Sequence, residues 1–96
     1  MAFENEASCL RRIARRGTIF YTKHAEQERQ KDNIEKVEIA NILCRCVVTK
    51  AEPNAKNGEE EWRAEGKDSD GRKITVVVVA YENVGEIKIV TTWANK

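Results

Sequence analysis

The chain has 96 residues, with 17 Lys and Arg against 16 Asp and Glu, a net charge of +1 and a single histidine. So short a chain folds as one small domain without a deep cavity, and its near-neutral charge argues against strong, non-specific binding to nucleic acid. No apolar run is long enough to span a bilayer, the first residues do not form a signal peptide, and an odd count of three cysteines points to free thiols in a reducing cytoplasm.

Residues 1–17 read as a basic helical extension on a single domain spanning 1–96. From about Glu4 to Arg16, Ala7, Leu10, Ile13 and Ala14 recur at helical spacing. Arg11, Arg12, Arg15 and Arg16 share one face of that helix, and Gly17 ends it. Thr18–Tyr21 is a short extended stretch. Thr22 is an N-cap for a second helix running to about Asp32. Ile34 to about Cys44 predicts a third helix, with Ile34, Val37, Ala40 and Cys44 as its apolar stripe, widened by Ile39, Ile42 and Leu43.

Four strands follow. They are Cys46–Ala51, Glu60–Gly66, Ile74–Tyr81 and Glu86–Trp93, with turns at Ser69–Arg72 and Asn83–Gly85. In the second strand Trp62 and Ala64 face one way, and Glu61, Arg63 and Glu65 the other. Ile74–Tyr81 is apolar almost throughout, as a central strand covered on both faces would be. Helices followed by a meander of strands predict an α+β fold, with helices on one face of a mostly antiparallel four-stranded sheet.

The chemistry-bearing residues cluster in Tyr21-Thr22-Lys23-His24-Ala25 and Glu28-Arg29. His24 sits in the first turn of the second helix, where an anion is favoured, and Glu28 lies one turn on, on the same face. Each candidate also has a structural reading. His24 can cap its helix, Arg29 can pair with Glu65, and Arg63 with an acid of a neighbouring strand. Trp62 and Trp93 can be core, and the arginines of the first helix a solvated face. Three cysteines (Cys9, Cys44, Cys46) and one histidine, scattered, do not form a metal-ligand set.

Three segments in order carry a family resemblance: Tyr21-Thr22-Lys23-His24-Ala25 with Glu28-Arg29, Trp62-Arg63-Ala64-Glu65-Gly66-Lys67-Asp68 with Asp70-Gly71-Arg72, and Ile89-Val90-Thr91-Thr92-Trp93. Together they resemble a family of small bacterial domains related to the BrnT-like and RelE-like toxins of type II toxin–antitoxin systems. The resemblance covers roughly residues 18–93. It implies a compact α+β ribonuclease that cleaves mRNA, free or on the ribosome, without metal or cofactor, and that a cognate antitoxin protein silences. The chain departs from that pattern in its near-neutral charge and in lacking a second arginine after Arg29.

Metal-free RNA cleavage needs an acid or base and positive charge at the phosphorane. The expected assignment is His24 as acid/base, Glu28 orienting it or acting as base, and Arg29 and Arg63 on the phosphate. Arg11, Arg12, Arg15, Arg16, Lys23, Lys88 and Trp93 would contact RNA. The alternative is a non-catalytic module on the same fold, binding protein or nucleic acid through the basic helix face or a strand edge.

Overall fold

A computed structural model describes residues 2–95; Met1 and Lys96, the ends of the expected domain, lie outside the described residues. The elements run α1 (Glu4–Arg16), β1 (Thr18–Tyr21), α2 (Lys23–Lys31), α3 (Lys36–Leu43), β2 (Val47–Pro53), β3 (Glu60–Lys67), β4 (Lys73–Tyr81) and β5 (Glu86–Ala94). The α+β expectation holds. The sheet, however, has five strands rather than four, in the order β1-β5-β4-β3-β2, and it is mixed. The extended stretch Thr18–Tyr21 is the added strand, pairing in parallel with β5 from Thr18 opposite Glu86 to Tyr21 opposite Ile89. Four residues of β-branched and aromatic type form a strand here because a partner edge is already in place.

Gly17 does more than stop α1. Its backbone is extended rather than left-handed. A Cβ at this position would lie 2.1 Å from the Gly85 carbonyl oxygen, and the Thr18 N–H donates to that same oxygen at 3.0 Å. The missing side chain lets the chain press onto the β4–β5 turn and enter β1 in register.

The helices cover one face of the sheet. Against that face lie Ala64, Ile74, Val76, Val78, Ile87 and Ile89, all fully buried, and from the helices Leu10, Ala25, Ile39, Ile42 and Leu43. Each large aliphatic side chain buried this way contributes about 1.5–3 kcal/mol. Gly66 on β3 belongs to this face too, since a Cβ there would meet Ile42 Cγ2 at 2.9 Å. Thus the alternation read for β3 holds, with Ala64 inward and Arg63 on the opposite face.

The stripe expected for α3 is corrected. The buried row is Ile39, Ile42 and Leu43, while Val37 is exposed. Ile34 is buried but precedes the helix, which starts after Glu35. It therefore does not set the helical phase. β4 is the central strand, as its composition suggests, yet helices cover only one of its faces.

Thr22 joins sheet to helix. Its Oγ1 accepts from the Ala25 N–H at 3.0 Å, capping α2, and donates to the Val90 carbonyl at 3.1 Å. Val90 is the extra residue of a β-bulge, skipped where Val77 pairs with Thr91 and Val78 with Ile89. A second irregularity, on β2, skips Thr49 between Val48 and Lys50.

Candidate functional site

The face of the sheet without helices holds the candidate site. Cross-strand register places Arg63, Val77 and Thr91 in one row, and Thr75 and Trp93 in the next. Lys50 pairs with Arg63 from β2. The loop after Pro53 folds over this region and, with these rows, encloses an open groove of about 520 Å³ lined by Lys50, Glu52, Lys56, Glu61, Arg63, Val77, Thr91 and Trp93 among others. An Asn54 side chain bonded to the Lys56 N–H at 2.8 Å and to Glu61 Oε2 at 2.6 Å shapes that loop.

Arg63 is the central cation. Its guanidinium carbon lies 5.6 Å from the centre of the Trp93 ring, a cation–π geometry. Trp93 is held by its indole N–H, which donates to Asn95 Oδ1 at 2.8 Å. Among the described residues Arg63 and Lys56 form no ion pair. Three other lysines of this face do: Lys50 with Glu52 at 2.7 Å, Lys73 with Glu65 at 3.1 Å and Lys88 with Glu59 at 2.6 Å. The bond from Lys88, then that from Tyr81, holds the Glu59 carboxyl below its ordinary range, and Lys50 does the same for Glu52. Burial pushes Glu65 up, but bonds from Thr49 and Lys73 outweigh it, and its net shift is downward. These carboxylates are charged at neutral pH, so the face combines matched ion pairs with one unmatched arginine on an aromatic ring.

The structure separates the residues expected to act together. His24 is exposed in the first turn of α2 and makes no hydrogen bond or ion pair among the described residues; the cap of that helix is Thr22. Glu28 pairs with Lys31 at 2.9 Å rather than orienting His24. Arg29 does not reach Glu65. Its Nε donates to Glu26 at 2.6 Å and its Nη1 to the Ile34 carbonyl at 3.2 Å, which ties the end of α2 to the segment before α3. No neighbouring-strand acid forms an ion pair with Arg63 among the described residues. α2 packs against β1 and β5, whereas Arg63 is on β3, beyond β4. Two strand spacings of ~4.8 Å therefore separate β3 from β5 before the helix is reached.

The basic helix face divides. Arg11 donates through Nε and Nη2 to the Cys46 carbonyl at 3.1 and 2.8 Å, and Arg15 to the Cys44 carbonyl at 3.3 Å, so both satisfy acceptors at the end of α3. Arg12 and Arg16 border a cleft beside the β4–β5 turn. Lys23 is exposed at the start of α2. Lys88 is on the open face but committed to Glu59. Among the described residues there is no group of three or more His, Cys, Asp or Glu that can hold a metal ion, and no helix is long and apolar enough to cross a membrane. All three cysteines are free; burial pushes the Cys9 thiol up to about 12 and the Cys46 thiol to about 11.

The segment Asp68 to Arg72, part of the resemblance, is structural. The nearly buried Asp68 carboxylate accepts from the N–H groups of Asp70 and Arg72 at 3.0 and 2.8 Å and from Arg72 Nε at 2.8 Å. Arg72 in turn donates to the carbonyls of Asp32 and Asn33 at 2.7 and 3.1 Å, gripping the end of α2. The bond from Arg72 keeps the Asp68 carboxyl below its ordinary value.

Sequence reasoning missed Lys50, Lys56 and Thr91. Only simple alternation was available to find Lys50 and Thr91, and the bulges at Thr49 and Val90 change its phase in both strands; Lys56 is in the loop between β2 and β3, where alternation says nothing. Counting by twos from Lys88 puts Trp93 on the helix-covered side; the bulge returns it to the open face.

No curated protein and no solved structure was found to match the chain. A family model described as "Domain of unknown function (DUF4258)" matches residues 21–94, from the last residue of β1 to the end of β5. The open-face residues of β2 to β5, α2 and the Asp68–Arg72 clamp thus lie within that match, α1 and Thr18 to Phe20 precede it, and the chain belongs to the DUF4258 family.

Proposed function

We propose that this chain is a toxin-like protein that binds single-stranded mRNA in the open groove and cleaves it without a metal. Arg63 carries the reading: it is an arginine in no ion pair among the described residues, held over an indole in a solvent-open groove, and so offers a phosphate contact beside a base-stacking surface. Cleavage by transesterification has the 2′-oxygen attack phosphorus, the 5′-oxygen leave and a 2′,3′-cyclic phosphate form. Arg63 would stabilise the extra charge on the phosphorane. Glu61 would take the 2′-hydroxyl proton, and Lys56 would return one to the 5′-oxygen. His24, exposed on α2, takes no part. Action on mRNA places the protein in the cytoplasm, and a cognate antitoxin would silence it by covering the groove.

The matched pairs Lys50–Glu52, Lys73–Glu65 and Lys88–Glu59 favour a second reading, a non-catalytic binding module. One experiment separates the two. Single-stranded RNA is incubated with the protein in excess EDTA, and cyclic-phosphate products are scored for wild type, Arg63→Ala, Glu61→Gln and His24→Ala. Products from wild type and His24→Ala, with loss in the other two, support the nuclease. RNA binding without products supports the module, and loss confined to His24→Ala overturns the groove assignment.

A further inference from the structure

We propose that the open face carries a second base-stacking seat, the Phe20–Tyr81 pair, which takes the far end of a single-stranded RNA whose near end lies on Trp93. This inference rests on the RNA reading above and sets the length of strand the face accepts.

The two rings lie 6.3 Å apart, centre to centre, and within 13° of parallel. Phe20 is 39% exposed, although it sits in a strand. It is opposite Lys88, which is opposite Val79, two residues from Tyr81 on β4. The Lys88 ammonium is 6.0 Å from the centre of the Tyr81 ring. Glu59 accepts from both the Tyr81 hydroxyl and Lys88, which fixes the ring's direction. This is a rigid, half-open aromatic surface that adds nothing to the helix-side core.

It shares a face with Trp93. Thr75 stands opposite Trp93 and Tyr81 ends the same strand, so the seats are ~20 Å apart at ~3.3 Å per residue. Val77, Val79 and Thr91 floor the interval. Such a span suits roughly four nucleotides, the short end of single-strand-binding sites. Beyond the platform, the cleft at the β4–β5 turn presents Arg12 and Arg16, neither in an ion pair among the described residues. On the face itself Lys50, Lys73 and Lys88 are matched by acids, so Arg63 is its main phosphate contact, stacking holds the bases, and these two arginines meet the phosphates that leave it. A base offers a flat π-face to either seat whatever its identity.

Uncleavable 2′-O-methyl oligouridylates of two to eight nucleotides, labelled for fluorescence anisotropy, test the proposal on the full chain. Affinity should rise about tenfold once length reaches roughly four nucleotides. Phe20→Leu, which keeps an apolar strand residue but no π-face, should abolish that rise, and Phe20→Tyr should keep it. Far-UV circular dichroism should be the same in all three, which confirms the fold. A rise that persists in Phe20→Leu, or no rise in wild type that still binds RNA, overturns the second seat and leaves the RNA reading standing. No binding of any oligonucleotide by wild type overturns both.

Discussion

The two faces of the sheet are built on opposite terms. On the helix side, Ile74, Val76, Val78, Ile87 and Ile89 are sealed under α1, α2 and α3. On the other, the sheet presents Arg63, Trp93, Lys88 and Tyr81, with the acid Glu59 beside the last two. A residue and its sequence neighbour on one strand therefore meet different surroundings, close packing on one side and solvent, with the proposed RNA site, on the other. Substitutions one position apart should separate stability from activity.

The largest effects belong to the covered face. Ile89→Ala empties space under α2 and should cost roughly 2–5 kcal/mol. Gly17→Ala has no void to fill: its Cβ would collide with the Gly85 carbonyl, so β1 must shift, at about 1–3 kcal/mol. Urea titrations read both, and a Gly17→Ala protein as stable as wild type would show that β1 does not need this close approach.

Arg63→Ala sharpens the contrast. It removes a half-buried side chain from the open face and should change stability by no more than about 0.5 kcal/mol, as surface substitutions usually do. RNA cleavage should fall by about a hundredfold or more, the loss that follows removal of one group stabilising transition-state charge. A variant that unfolds would instead make Arg63 a structural residue.

Much of this division was legible in the sequence. The alternation in Glu61-Trp62-Arg63-Ala64-Glu65 put Arg63 outward, and the apolar run of β4 marked it as central. Thr22 could be recognised as a cap because its type and place suffice. What could not be read depends on partners distant in the chain. β1 is a strand only because Ile87 and Ile89 offer it an edge, and Trp93 faces outward only because Val90 bulges. His24 and Arg29 look like one site when read along α2, but Arg29 spends its donors on Glu26 and Ile34, and among the described residues no hydrogen bond or ion pair links His24 to Arg63.

Between the faces lies the clamp of Asp68 and Arg72, which gives a pH signature. The folded carboxyl is held below its ordinary value of 3.8 by Arg72. A carboxyl lowered on folding contributes stability that is complete above the unfolded value and is lost as pH falls through the folded one. Wild type should therefore lose melting temperature below about pH 4 faster than Asp68→Asn. The variant should be less stable at neutral pH, and the two curves should converge in acid. Glu26, Glu52, Glu59 and Glu65, all shifted down, titrate in both proteins, so the difference between the curves isolates Asp68. A constant offset from pH 7 to pH 3 would mean that the clamp works through the turn's geometry rather than its charge.

The smallest effect is expected at the residue that draws the eye first. His24 is the only histidine in the chain, beside a helix start, and its type alone suggests acid–base work. Its surroundings do not. The N–H of Ala25 is capped by Thr22, the nearby Glu28 is taken by Lys31, and the side chain stands in solvent. Exposed substitutions of this kind stay within about 0.5 kcal/mol. His24→Ala should accordingly melt with wild type, cleave RNA at the wild-type rate and show the same pH–rate profile. A lost acidic or basic limb in that profile, with stability unchanged, would return the chemistry to α2 and leave the groove only the binding of the strand.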